Sequence, residues 1–165
     1  MAAKRTCDKA DCIDTEVMAS APSSGQRSDQ PSAQPSILGS SKIVAFAGVK
    51  DAERARTFYR DTLGLRLVSE DGFALVFDAN GTMLRVSLVR EVVAAPYTVL
   101  GWEVDDIVAK AKALVAAGIT PERYESFLKQ DESGIWTAPG GTRVAWFKDP
   151  DGNLLSISQH ELSQH

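Results

Sequence analysis

The chain has 165 residues, 44% of them apolar and 24% charged, with a formal net charge of −4 and two cysteines. No basic patch stands out, which argues against a nucleic-acid partner, and no apolar run approaches the roughly 18–20 residues that span a bilayer. Residues 1–41 contain eight serines and no aromatic residue, while all twelve aromatic residues lie between Phe46 and Phe147. A segment so poor in apolar surface cannot offset its ordering entropy, so 1–41 is expected to be a disordered tail. That tail lacks the apolar stretch of a secretory signal, and its five acidic residues argue against an organellar transit peptide. The cytoplasm is the expected compartment. Cys7 and Cys12 stand as C-x4-C with no further soft ligands nearby, and read as incidental thiols.

From Lys42 the hydrophobic period alternates between that of strands and that of helices. KIVAFAGV (42–49) is a strand, and DAERARTFYRDTL (51–63) is an amphipathic helix with Asp51 as its cap and Gly64 as its left-handed stop. LRLVSE, FALVFD and TMLRVSLV follow as strands, joined at Asp71–Gly72 and Asn80–Gly81, dipeptides that favour tight antiparallel turns. After a connector around Glu91–Pro96 the order repeats. YTVLGWEV (97–104) is a strand, DDIVAKAKALVAA (105–117) a helix, and ITPERYE (119–125) a short strand interrupted by Pro121. A loop through Lys129–Ser133, either a solvated segment or a lid, precedes the hairpin GIWTAPGGTRVAWFKD. The turn Asp149-Pro-Asp-Gly152 then leads into NLLSISQ.

The expected fold class is therefore α+β, with two tandem βαβββ modules, 42–90 and 97–160, forming a half-barrel with a cleft, and a short tail at 161–165. Alternation along the strands assigns the faces. Ile43, Ala45, Ala47, Val49, Leu84, Val86, Leu88, Leu100, Trp102, Val104, Leu155 and Ile157 go to the helix side. Val44, Phe46, Gly48, Met83, Arg85, Ser87, Val99, Gly101, Glu103, Leu154, Ser156 and Ser158 go to the cleft. Trp102 and Trp146 are both expected in the core. His160 is expected at the surface.

The paired modules, the helix segment FYRDTLGL (58–65) and the strand-turn-strand VAWFKDPDGNLLSIS (144–158) resemble the vicinal oxygen chelate superfamily. That group includes glyoxalase I, extradiol dioxygenases, fosfomycin-resistance enzymes and bleomycin-resistance proteins. The resemblance implies the half-barrel and, for catalytic members, one divalent metal held by His or Glu on the first and last strand of each module. Carried onto this sequence, those positions fall at Val44, Arg85, Val99 and Ser156, which make no competent ligand set. The only histidines are His160 and His165. No metal and no other cofactor is therefore expected, the alternative being a divalent metal such as Ni, Zn, Fe or Mn in an unorthodox site.

The resemblance then implies a binder of a small organic molecule, like the bleomycin-resistance proteins, with homodimerisation and no nucleic-acid or membrane partner. Candidate ligand-binding residues are Val44, Phe46, Arg85, Ser87, Tyr97, Val99, Gly101, Trp136 and Ser156. Arg85 suits an anionic group on the ligand. Glu103 is the candidate catalytic base if the protein is instead a glyoxalase-like lyase or a dioxygenase-like enzyme. Arg85 and Glu103 paired as a salt bridge, or Glu103 at a solvated strand end, are the plain readings of the same residues. A partner-binding module with the tail as docking segment is a third reading.

Overall fold

The structure, a computed structural model, describes residues 37–161 apart from Glu125 and Phe127. The readings of the 1–41 tail, of Cys7 and Cys12 and of the 161–165 tail lie outside the described residues, save for 37–41 and Glu161. The chain divides between Ser40 and Ser41 into two compact units, and among the described residues all helices and strands lie in the second.

In the first module, strand β1 (Val44–Val49) leads into helix α1 (Ala52–Arg56), which runs on as a π-helical segment (Thr57–Thr62). Strands β2 (Arg66–Glu70), β3 (Ala74–Ala79) and β4 (Thr82–Leu88) complete it. The second module comprises β5 (Leu100–Glu103), α2 (Ile107–Ala116), β6 (Ile135–Thr137), β7 (Arg143–Lys148) and β8 (Leu154–Gln159). Each forms a four-stranded sheet, ordered β1-β4-β3-β2 and β5-β8-β7-β6. In both, the first strand pairs in parallel with the last and the remaining neighbours are antiparallel. A tight turn cannot join a parallel pair, so the intervening helix and hairpins carry the chain back.

Local chemistry explains the boundaries. Asp51 accepts a hydrogen bond from the Arg54 amide at 2.8 Å, and Asp106 does the same for Ala109 at 3.0 Å, so each helix begins on a capping carboxylate. Asn80 and Gly81 have φ of 53° and 88°, the left-handed pair that a two-residue hairpin turn needs between β3 and β4. The periodicity of 51–63 predicts an α-helix throughout. From Thr57 the helix instead widens to i→i−5 bonding, with the Leu63 amide donating to the Phe58 carbonyl at 2.9 Å.

The stretch 119–125 is not a strand: among its described residues only Pro121 makes an isolated bridge, to Phe147. Proline offers no amide to continue a ladder. The Gln130 side chain supplies the missing bonds, accepting from the Tyr124 amide at 2.6 Å and donating to the carbonyls of Glu122 (3.0 Å) and Gly134 (2.8 Å). Asp131 takes the amides of Ser133 and Ile135, so the 129–133 loop is pinned to its own backbone.

One core serves both modules. Phe77, Leu84 and Val86 of the first sheet, Phe147, Leu155 and Ile157 of the second, and Tyr59 and Ile107 of the helices belong to a single buried cluster. The expected helix-side faces of β1, β4 and β8 therefore hold, except at Ile43, which lies ahead of β1 and is exposed. The helix-bearing sides of the two modules meet within the chain. The Tyr59 hydroxyl donates to Asp149 at 2.8 Å, and Asn153 Nδ2 donates to the Gly48 carbonyl at 2.8 Å. A groove of about 480 Å³ lies between the end of the π segment (Thr62, Leu63) and α2 (Ala113, Leu114). Burial and the neighbouring Asp149 push the Tyr59 phenol far above its ordinary pKa, so it remains a proton donor. Both carboxylate oxygens of Asp151 are buried, with no hydrogen-bond partner among the described residues. No helix among the described residues is long and apolar enough to cross a membrane.

Two turn carboxylates give the fold an acid limit. Asp71 accepts the amides of Phe73 (2.7 Å) and Ala74 (2.8 Å), and Asp78 accepts from Arg66 (2.8 Å) and the Gly81 amide (2.7 Å). Those bonds, backbone for Asp71 and chiefly Arg66 for Asp78, hold both carboxyls below their usual range. A carboxyl depressed on folding contributes stability above its unfolded pKa of about 4, and that contribution is lost as pH falls through the lower folded value. Thermal unfolding followed from about pH 6 to pH 3 should show a melting temperature that declines below about pH 4. An Asp71→Asn/Asp78→Asn variant should show a shallower decline; equal slopes would remove these residues as the cause.

Candidate functional site

The face of the first sheet turned away from the core carries Val44, Phe46 and Gly48 on β1 and Met83, Arg85 and Ser87 on β4. Phe46 stands opposite Arg85, and Gly48 opposite Ser87. Across β3, Val76 is the other neighbour of Arg85. Phe46 is 59% exposed and Met83 48%, while Arg85 is half-buried between them. Arg85 forms no hydrogen bond or ion pair among the described residues, so its five donors are free for another group. Its charge reaches as far as Asp71, where it adds to the lowering of that carboxyl.

The corresponding face of the second sheet carries Gly101 and Glu103 on β5, Ser156 on β8, Trp146 on β7 and Trp136 on β6. Ser156 stands between Gly101 and Trp146 in register, and Glu103 faces Ser158. Trp146 is not the core residue expected of it: Ala145 and Phe147 take the buried side of β7, which turns Trp146 outward. Its indole Nε1 donates to Thr98 Oγ1 at 3.1 Å, with the Trp136 ring at 6.1 Å and the Tyr124 ring at 5.5 Å edge-on. The signal is present in the sequence, because period-two alternation along VAWFK puts Trp146 opposite Phe147. Trp102, by contrast, packs against the core, stacked on Phe147.

The expected site residues therefore gather in two sets. Val44, Phe46, Arg85 and Ser87 share one face; Gly101, Glu103, Trp136 and Ser156 share the other. No hydrogen bond or ion pair among the described residues links the two. Arg85 and Glu103 do not form the salt bridge offered as one plain reading, and Glu103 is exposed at the end of β5, as the other plain reading has it. The apolar surroundings that a proton-abstracting carboxylate needs are not supplied to it by this chain alone. Val99 packs against the core instead of lining a cleft, its amide bonded to the Leu154 carbonyl at 2.9 Å. Tyr97 lies ahead of β5 and is 67% exposed.

Residues 42–157 match the family described as the Glyoxalase/Bleomycin resistance protein/Dioxygenase superfamily. The chain belongs to this superfamily. Solved structures repeat the architecture. Lactoylglutathione lyase from Agrobacterium tumefaciens is 20% identical, with a TM-score of 0.57 over 75% of this chain and 97% of that one. A fosfomycin resistance protein from Listeria monocytogenes is 13% identical, with a TM-score of 0.58 over 73% and 93%. A superfamily member from Alicyclobacillus acidocaldarius is 21% identical, with a TM-score of 0.55 over 73% and 92%. At these identities the likeness speaks for the fold. No curated protein matches the sequence.

Superfamily membership raises the metal, and the residues do not fit one. Val44 and Val99 have no lone pair to offer, and Val99 is turned to the core. The Ser156 residue is 8% exposed, beside Gly101, and Arg85 brings a positive charge. No three His, Cys, Asp or Glu side chains among the described residues are placed to hold a cation. The His160 ring is exposed, as expected of it, and lies 3.4 Å from the hydroxyls of Thr142 and Ser158.

Proposed function

We propose that this superfamily member is a metal-free binder of small organic anions, with Arg85 as the anchor for the acidic group. The observation that carries the reading is a half-buried guanidinium, bordered by Phe46, Met83 and Val76, with no carboxylate in ion-pair range among the described residues. A partly buried cation of that kind is stabilised by an anionic partner, and the planar fork of arginine suits a carboxylate or a comparable oxyanion. It also stands on a strand where metal-using relatives place a ligand, so the same position is turned from cation binding to anion binding.

The cleft itself is proposed to form between two copies. Within one chain the helix sides meet, so the site-bearing face of each sheet points away from the shared core. In a homodimer the first sheet of one copy would cover the second sheet of its partner. Val44, Phe46, Arg85 and Ser87 would then meet Gly101, Trp136 and Ser156. Burial of the exposed Phe46 and Met83 favours this pairing.

Elemental analysis of the full chain, purified without a tag, should give far less than one equivalent of Ni, Zn, Fe or Mn. A stoichiometric amount of any of them would overturn the metal-free reading in favour of the lyase or dioxygenase class. Arg85→Ala should weaken binding of small carboxylic acids by about 10- to 100-fold, the worth of a charge-assisted pair. Isothermal titration is the check, and unchanged affinity would remove Arg85 as the anchor.

A further inference from the structure

We propose that the groove between the end of the π segment and α2 is a second binding site, for a free α-amino acid with a large apolar side chain. It lies on the core side of the sheets, away from the open faces that carry Arg85 and Gly101, so it stands whether or not Arg85 anchors an anion. α2 presents a single stripe to it. Lys110, Ala113, Leu114 and Ala117 line the groove and recur at the i, i+3, i+4, i+7 spacing of one helix face. At the α-helical rise that stripe runs for about 10 Å. Leu63 and Leu65 of the first module also line the groove, as do Trp102 and Phe147, whose rings are stacked with centroids 6.4 Å apart.

Size and charge select the occupant. The groove measures about 480 Å³, within the range of small-molecule sites, and its lining is mostly apolar. Larger side chains on the stripe would fill it; the alanines at 113 and 117 are exposed and leave it open. Charge is confined to the end where β5 gives way to α2. Asp105 follows the strand there, and Lys110 stands in the first turn of the helix. Glu103 borders the same end, but its strand turns it to the open face of the sheet. Neither the Asp105 nor the Lys110 side chain has a hydrogen-bond or ion-pair partner among the described residues. An ammonium and a carboxylate on one carbon complement a carboxylate and an ammonium held apart, whereas an amine or an acid alone would pair with one and repel the other. An apolar side chain on the same carbon would then lie along the stripe, out of water. So placed, the ligand bridges Leu63 and Leu65 of the first module to α2 of the second.

The test compares L-tryptophan with L-tryptophanamide and N-acetyl-L-tryptophan by calorimetry on the full-length protein, at about pH 6, where the amide is cationic and the N-acetyl form anionic. The comparison is repeated in Arg85→Ala, so that a carboxylate held at the proposed anchor is not counted. L-tryptophan should bind at least about tenfold more tightly than either derivative. Lys110→Gln should remove its advantage over the amide, and Asp105→Asn its advantage over the N-acetyl form. Ala113→Trp, which fills the groove from an exposed helix position, should abolish binding of L-tryptophan. The ligand should raise the melting temperature of wild type and leave that of Ala113→Trp unchanged. Equal affinities for the three forms in Arg85→Ala, L-tryptophan binding that outlives Ala113→Trp, or no binding at millimolar concentration would overturn the groove site. Loss of L-tryptophan binding in Arg85→Ala would overturn it as well, by assigning the amino acid to the anion anchor.

Discussion

Asp149→Ala is expected to lower the unfolding free energy by about 3–5 kcal/mol, the loss that follows removal of a buried, multiply bonded carboxylate. The residue is 5% exposed and all its bonds are internal. Oδ1 accepts the amides of Asp151 and Asn153, each at 2.9 Å; Oδ2 accepts the Tyr59 hydroxyl at 2.8 Å and Asn153 Nδ2 at 2.7 Å. Alanine would leave those donors unsatisfied at the one place where the 149–153 turn meets both α1's continuation and β1. At about 3–4 °C per kcal/mol for a domain of this size, the melting temperature should fall by about 10–20 °C. Tyr59→Phe removes one bond and no charge, and should cost only about 1–1.5 kcal/mol. Denaturant titration of both variants is the check. An Asp149→Ala loss under about 1 kcal/mol would mean that the junction is held by apolar contact alone.

The second large effect concerns where the cleft is made. Arg85→Ala and Gly101→Val each spoil a different wall. If each cleft takes its first sheet from one copy and its second sheet from the other, a mixed dimer has one cleft with both defects and one with neither. Random pairing after co-refolding then makes half the dimers mixed, so about a quarter of all sites should regain wild-type affinity, which neither parent has. The readout is the stoichiometry of a carboxylic acid that wild type binds. If both walls came from the same chain, every site in the mixture would keep a defect and nothing would return. That outcome would discard the two-copy cleft while leaving the identity of its walls untouched.

The division of the fold into two βαβββ modules is legible because the local signals agree with one another. Asn80–Gly81 supplies a left-handed turn, Asp51 a cap, and β4 a strict alternation with Leu84 and Val86 on one side and Arg85 on the other. Where sequence and structure part, a single signal competes with its neighbours. The stretch 119–125 has a strand's composition, but Pro121 leaves it one bridge. Bulk and apolarity place Trp146 in the core, while the alternation of its own strand points it outward. Alternation and the family resemblance both put Val99 in the cleft, but β5 begins only at Leu100 and Val99 packs against the core.

How the modules face one another is not legible at all. Alternation tells which side of a strand is apolar enough to bury, and it is silent on whether the covering surface belongs to the same chain. Arg85 and Glu103 both carry cleft-facing parity and so look like partners. They sit on sheets whose helix sides, not their open sides, are in contact.

The π-helical segment has a consequence of a different kind. Thr57–Thr62 holds one residue more than an α-helix would need to cover the same path. Deleting Arg60 or Asp61 would give a locally better-bonded helix. Because an α-helix would cover the same path with one residue fewer, the chain after the deletion would keep its direction, and Leu63 and Leu65 would stay in the groove they share with α2. The widened turn is in that sense a removable insertion: a residue can be lost at exposed Arg60 or Asp61 without turning the second half of the chain away from its core.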